Sequence, residues 1–405
     1  MLVKLREYLD IKRGPSLSSK YYSQKGNFVR LTLGNFNYPN GGFKENTSKD
    51  DIYYIGKVKK EYILNKNDLI TPLTEQTLGL LGETAFIPED NKYIQSGDIG
   101  LVLPYKEKLN DKYCYYLLSS PLIKKQLSDG AQQTKIRHTS PEKIKDSLAF
   151  IPNIKTQEKI GNLLFSIDCQ ITRNNAMVKR LQVLTQAIYN YWFIQYKIPN
   201  FKSDLIYNKN LNRKIPLNWK VKKISEVCNI ILGGTPSTKI AEYWKGDINW
   251  LNSGEIAHFP ITKSELKISN LGLKNSATKL MKKGTILVSI TGNIRVSILA
   301  IDSCANQSVV GIEENDVFEA GYLYPCVKNL IELYEKTSTG NCQKHINKNA
   351  IEHSYLLIPP YDILQKYSEY IRPFYKKIYD ISLLNEKLLL LKNTLLPLLI
   401  NQQLT

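Results

Sequence analysis

PNIKTQEKIGNLLFSIDCQITRNNAMVKRLQVLTQAI, residues 152–188, and PPYDILQKYSEYIRPFYKKIYDISLLNEKLLLLKNTL, residues 359–395, decide the fold. In the first stretch Ile160, Leu164, Ile167, Ile171, Val178, Leu181 and Ile188 step by four and three, with Asn174 and Thr185 in the two gaps. Such steps keep the apolar residues on one narrow stripe of a helix, the a/d seam of a coiled coil. At an offset of 207 the same register reads Ile371, Phe374, Ile378, Ile381, Asn385, Leu388, Lys392 and Leu395. A single stripe of this kind describes an amphipathic helix lying on its own domain. Two of them, long and in equivalent places, predict helices that pack on each other. Isolated polar residues in a seam, here Asn174 and Asn385, commonly fix its register at some cost in stability. Forty residues of helix run about 60 Å, so each can act as a spacer.

The sequence upstream of each helix repeats too. Lys4-Leu5-Arg6-Glu7 resembles Lys223-Ile224-Ser225-Glu226 at an offset of 219, where Gly14 also meets Gly233 and Val29-Arg30-Leu31 meets Ile248-Asn249-Trp250. Gly130-x-x-Gln133-x-x-Ile136 matches Gly340-x-x-Gln343-x-x-Ile346 at 210, and Ile151-Pro152 matches Ile358-Pro359 at 207. The offset only shrinks, as it does when loops lose a few residues between parallel copies. Short apolar runs after turn signals mark strands: Leu69-Ile70 follows Asn67-Asp68, and Ile286–Ile290 follows Lys283-Gly284. The expected class is α+β, with two pseudo-repeated globular domains at 1–153 and 216–360. Long helices are expected at 154–197 and 361–405, with a polar linker at 198–215.

Lys+Arg 55 against Asp+Glu 37 leaves a net charge of +18, and both halves of the chain carry an excess. A surplus spread over two folded bodies points to a polyanion, nucleic acid before a membrane surface. The six cysteines form no CxxC pair and only four histidines are present, which excludes the usual structural zinc spacings. MLVKLREYLD lacks the apolar core of a signal peptide, and Leu383–Ile400 is too interrupted by polar residues to span a bilayer. A reduced, cytoplasmic protein with no metal is expected. Phosphate-binding loops, HExxH and nuclease-type Pro-Asp patterns are absent. Ile358-Pro359-Pro360-Tyr361 looks like the Pro-Pro-aromatic motif of amino-methyltransferases, but isoleucine cannot accept the hydrogen bond of a target amine. The motif reads as a turn before the helix. Cys304, His138 and His345 stand alone, so no nucleophile is assigned and a non-catalytic protein is expected.

Several stretches of the second half identify a family: Trp219, Gly233-Gly234-Thr235-Pro236-Ser237, Tyr243–Trp250, Lys283–Leu287, Asn306-Gln307, Gly340-x-x-Gln343 and Ile358-Pro359-Pro360. They closely resemble the specificity subunit of type I restriction-modification systems. The first half matches more weakly, with Arg13-Gly14-Pro15-Ser16 in place of the Gly-Gly-Thr-Pro-Ser loop, although Tyr191-Trp192-Phe193 is similar to the family's central region. The resemblance implies two target-recognition domains, each reading half of a bipartite site in double-stranded DNA. The helices would pair antiparallel and set the spacer between the halves. Two methyltransferase subunits would dock on them and bring S-adenosylmethionine; restriction/translocase subunits would bring ATP and Mg. No cofactor is expected in this chain, and no membrane partner.

Phosphate contacts would supply affinity, and side chains reaching major-groove edges would supply specificity. The DNA-binding candidates are Lys12, Arg13, Ser16, Ser18, Lys20, Lys135 and Arg137 in the first domain. In the second they are Thr235, Ser237, Thr238, Lys239, Lys344, His345, Asn347 and Lys348. Gly233-Gly234 would let the backbone approach DNA. A competing reading is a coiled-coil scaffold whose charge has nothing to do with DNA; a third is a diverged methyltransferase using Ile358–Tyr361.

Overall fold

The computed structural model describes residues 2–38, 41–75, 79–129, 137–337 and 346–403. Two compact units form: unit 1 comprises Met1–Ile171 with Leu388–Thr405, and unit 2 Thr172–Lys387. Each long helix therefore gives one segment to each unit.

Unit 1 is built on β1 (Leu9–Arg13), β2 (Phe28–Arg30), β3 (Leu69–Pro72), β4 (Ala85–Phe86), β5 (Tyr93–Ile94) and β6 (Ile99–Pro104). An antiparallel sheet runs β1-β6-β3-β4, and β2 pairs in parallel with β5 in a second sheet. Helices α1 (Asp111–Leu118) and α2 (Pro121–Asp129) follow, then the long α3 (Ile154–Tyr189). Unit 2 repeats the plan with β7 (Ile230–Leu232), β8 (Ile248–Leu251), β9 (Ile286–Ser289), β10 (Val296–Ile298), β11 (Cys304–Ala305) and β12 (Val309–Ile312). Its antiparallel sheet is β7-β12-β9-β10, and β8 pairs in parallel with β11. Helix α4 (Ala320–Thr337) then precedes the long α5 (Tyr361–Ile400). In both units a short strand near the start, Val3–Lys4 or Lys220–Lys223, pairs with the one that leads into the long helix. Asn67 and Gly284, the turn residues before β3 and β9, take left-handed φ values of 70° and 92°.

The long helices begin where the sequence stops them from beginning earlier. Asn153 accepts the Thr156 amide with its side chain, at 2.9 Å, and the Pro360 carbonyl accepts the amides of Ile363 and Leu364. The prolyl turn at 359–360 is thus a helix start. Along α3 the buried seam is Ile160, Leu164, Ile167, Asn174, Val178 and Thr185; along α5 it is Ile371, Ile378, Ile381, Asn385 and Lys392. In unit 1, Ile160 and Leu164 share a core with Leu395, Leu396, Leu399 and Ile400. In unit 2, Val178 packs with Ile378 and Ile381, and Asn174 Nδ2 donates to Asn385 Oδ1 at 2.7 Å. Within each unit, numbers rise along one helix as they fall along the other, so the pairing is antiparallel.

Two features depart from the sequence reading. The stretch expected to be a linker holds a two-stranded antiparallel hairpin, Leu205–Asn208 with Arg213–Pro216, because Asn212 accepts a left-handed φ of 46° at its turn. Helix α3 does not end as an α-helix but widens at Asn190–Ile194, where Tyr189, Trp192 and Phe193 enter the core of unit 2. Pro325 interrupts the amide ladder of α4, and the buried Tyr367 hydroxyl donates to the carbonyl of Gly321 at 3.2 Å, supplying the bond that proline cannot. Among the described residues no helix is long and apolar enough to cross a membrane, and no group of His, Cys, Asp or Glu is placed to hold a metal ion. Cys304 is buried, and burial pushes its thiol up to about 11, the behaviour of a small hydrophobe.

Candidate nucleic-acid interface

The antiparallel sheets bring several loops to one end. In unit 2 the chain leaves β7 into 233–239, enters β12 from 306–308 and turns from β9 to β10 through 290–295; hydrogen bonds tie these loops together. Gly233 N donates to Val309 O, Ile290 N to Ser308 O and Ile346 N to Ile290 O, at 3.0, 2.9 and 3.2 Å. Unit 1 repeats the chain bond for bond: Gly14 N to Ile99 O, Leu73 N to Asp98 O and Thr139 N to Leu73 O, at 3.2, 2.8 and 2.9 Å. The same backbone frame therefore gathers the same loops in both units, and of the sequence-predicted residues Ser16, Ser18, Thr235, Ser237, Thr238 and Lys239 lie on those loops.

The glycines of that frame serve the protein itself. A Cβ on Gly233 would come within 2.0 Å of Asn306 O, and one on Gly14 within 2.3 Å of Ser96 O. Gly234 is pressed as closely on the Thr278 amide. The expectation that Gly233-Gly234 frees the backbone to approach DNA is replaced by this: both are buried, and the absent side chains let one loop of the unit lie on another. Trp250, also buried, donates from its indole to Gly234 O at 3.0 Å, and Trp244 to Ser237 O at 3.1 Å, so the loop carrying Thr235–Lys239 is pinned from beneath.

On the outside of these loops stand the polar side chains. Ser237, Thr238 and Lys239 are exposed in unit 2; Lys12, Ser16, Ser18 and Lys20 in unit 1. None of the three lysines makes an ion pair among the described residues, which leaves each ammonium available to a phosphate. Lys20 lies over the Tyr21 ring at 4.8 Å. Thr235 is exposed, but its hydroxyl donates to Gln307 Oε1. Arg13 is likewise exposed and donates from Nε to Gly97 O at 2.7 Å. Asn347 is a helix cap, accepting the Ala350 amide at 2.8 Å, and Lys348 pairs with Glu352 at 2.9 Å, so both have internal work. Lys135, Lys344 and His345 lie outside the described residues. Arg137 is in a strand paired with Glu75, its side chain not described.

Gln307 and Arg295 belong to the same loop end and were not among the candidates. Gln307 is exposed beside Thr235. Arg295 closes the β9–β10 turn, and one signal was readable: it is the only arginine between Arg213 and Arg372.

Comparison with known proteins bears on the duplicated fold. A family model for the type I restriction modification DNA specificity domain matches residues 1–186 and again residues 216–389, once for each repeat. The MjaIX specificity subunit of Methanocaldococcus jannaschii is 22% identical over 304 residues, 73% of this chain and 69% of that protein. The HindI specificity subunit of Haemophilus influenzae is 20% identical over 310 residues, 62% of this chain and 68% of that protein. The crystal structure of a type I restriction-modification S subunit from M. genitalium shares the fold, with a TM-score of 0.58 and 13% identity over 99% of this chain and 96% of that one. A scaffold unrelated to DNA accounts for none of these matches, and the repeated family domain with its repeated loop frame accounts for all of them: the chain belongs to the family of type I restriction-modification specificity subunits, whose work is DNA recognition.

Proposed function

We propose that each unit reads one half of a bipartite target in double-stranded DNA through the loop end of its antiparallel sheet. The observation that carries this reading is the repeated hydrogen-bonded frame, which presents different side chains on the same backbone in the two units. Lys12, Lys20 and Lys239 supply salt-dependent phosphate contacts, while Ser, Thr, Asn, Gln and Arg side chains of the loops face base edges. The recognition domains are 1–153 and 216–360, and the paired helices set the nonspecific spacer. Two methyltransferase subunits dock on the helices, carrying S-adenosylmethionine, and restriction/translocase subunits carry ATP and Mg. This chain holds no cofactor and performs no bond-making step, and the assembly works in the cytoplasm.

The test is domain exchange in the full chain, assembled with its modification subunits and read out by methylome sequencing. Replacing residues 1–153 by the equivalent domain of another specificity subunit alters one half-site and leaves the other intact. A change in both halves contradicts modular reading. Inserting residues between Asn174 and Val178 changes the preferred spacer with both half-sites preserved; an unaltered spacer contradicts the ruler. The logarithm of the affinity for the target falls linearly with the logarithm of salt concentration, and no affinity for any duplex rejects DNA reading altogether.

A further inference from the structure

We infer that Arg295 is the guanine-reading side chain of unit 2. The inference rests on the DNA reading proposed above and assigns one element of its specificity.

The β9–β10 turn is built to hold Arg295 still. Ser289, fully buried, donates its hydroxyl to Asn293 O and accepts the Arg295 amide, both at 2.8 Å, and its own amide donates to Arg295 O at 3.0 Å. Gly292 crosses the tip of the turn at φ 74°, in open space where a Cβ would meet nothing within 4 Å. Ile290 ties the turn to Ser308 on one side and to Ile346 on the other, at the loop end where Thr235 and Gln307 meet. A side chain on this turn starts from a fixed backbone, so binding costs the rotamer freedom of the side chain and little of the backbone's.

The guanidinium it carries is nearly unclaimed. Its one hydrogen bond is a long one, Nη1 to Gly254 O at 3.4 Å, and it makes no ion pair among the described residues. Other arginines of the chain are spent within the fold: Arg6 on Asp146, Arg30 on Asp51 and Arg372 on Glu319. Between residues 216 and 360 every other Lys/Arg cation is a lysine, so the single arginine, set on a rigid turn, is a choice of geometry over charge. A guanidinium presents two parallel N–H groups in a rigid fork that matches O6 and N7 of guanine; an ammonium reaches the same acceptors only from a flexible stem, with no fixed fork. The equivalent connection of unit 1, residues 73–84 between β3 and β4, is longer and contains no arginine. Its described residues are mostly buried, and the Glu75 carboxylate accepts the amides of Gly79 and Leu81, both at 3.1 Å.

Arg295→Ala and Arg295→Lys are compared with the wild type, each as the full chain with its modification subunits. Methylome sequencing and binding to duplexes varied one base pair at a time are the readouts. In both variants one guanine position relaxes, in one half-site only, and the number of modified sites rises about fourfold as that position accepts any base. Affinity for the original target drops about 10- to 100-fold while substituted duplexes are nearly unaffected. Three results overturn the inference. Uniform weakening on all sequences, with the salt slope reduced by about one, makes Arg295 a phosphate contact. Full discrimination in Arg295→Lys shows that charge suffices, and unchanged discrimination in Arg295→Ala removes the residue from the interface. A wild-type assembly with no consensus sequence defeats the DNA reading itself, and this inference with it.

Discussion

The joints at which the two units grip the long helices differ more than the bodies do. In unit 1 the tail of α5 enters on aliphatic residues, Leu395, Leu396, Leu399 and Ile400, and on a charge: Lys392, almost fully buried, donates to Asp168 Oδ1 at 2.7 Å while Tyr116 donates to the other carboxylate oxygen. In unit 2 the end of α3 enters on rings. Phe193 packs edge-on against Tyr322 and Tyr367 with centroids 4.9 and 4.8 Å away, and Trp219 closes the cluster at 6.0 Å. The polar contacts there are neutral: Gln182 donates to the Tyr324 hydroxyl at 2.6 Å, and Gln186 to Asn329 Oδ1 at 3.0 Å. A tyrosine from the first helix after the sheet, Tyr116 on α1 or Tyr324 on α4, reaches α3 in each case. The lesson is that a duplicated backbone keeps its frame while the chemistry at each joint diverges, one ionic and directional, the other aromatic and broad.

Removing the ring at the centre of the unit 2 joint tests this most severely. Phe193→Ala deletes a fully buried side chain from a close-packed cluster and costs about 3–5 kcal/mol. Hydrogen exchange reports lost protection in α4 and the first half of α5, with the β1–β6 region of unit 1 retained. Equal loss in both units contradicts separate joints.

Next in size is the charge in unit 1. Lys392→Met takes the cation from Asp168, whose carboxylate keeps the hydrogen bond from Tyr116, and costs about 3 kcal/mol, read as faster exchange along residues 388–400. Adding Asp168→Leu recovers most of that loss, because an apolar pair of similar volume fills the seam without desolvating ions. A double variant no better than the single one shows that the pair does more than compensate itself. Smaller again is Tyr367→Phe, which leaves the carbonyl freed by Pro325 without its donor and costs about 1 kcal/mol. The same substitution at Tyr113, whose hydroxyl donates to Phe150 O at 3.2 Å, is the unit 1 comparison.

Acid sensitivity is the mildest contrast and falls on both units alike. A hydrogen bond from Lys145 holds Asp10 below its ordinary value of 3.8, and the Lys283 amide with Lys282 does the same for Asp302. A lowered carboxylate contributes stability above 3.8 that is lost as pH falls through the folded value. Asp302→Asn flattens that loss in unit 2, and Asp10→Asn in unit 1, in urea titrations followed between pH 5 and pH 2, roughly the range in which such groups titrate. No change in the slope with pH contradicts the assignment.

What was readable beforehand follows from which forces are local. Heptad spacing is a property of the chain, so the seams, the polar exceptions Asn174 and Asn385, and the strands after Asn67 and Gly284 could all be named without coordinates. The repeated anchors were legible because Gly14 and Gly233 answer to backbone crowding, which tolerates no side chain in either copy. The hairpin at 205–216 was not legible, since its composition is that of a loop and only pairing makes it a strand. Nor was the loop end as an assembly: Thr235, Arg295, Gln307 and Ile346 are scattered over more than a hundred residues, and it is the antiparallel order β7-β12-β9-β10 that brings their loops together. The amino-acid sequence alone determined a duplicated basic protein with paired helices, because periodicity and charge are carried residue by residue. Only the tertiary structure decided that Gly234 touches Thr278, that Lys392 meets Asp168 and that Arg295 makes no ion pair among the described residues, because partners distant in the chain are chosen by packing and not by spacing.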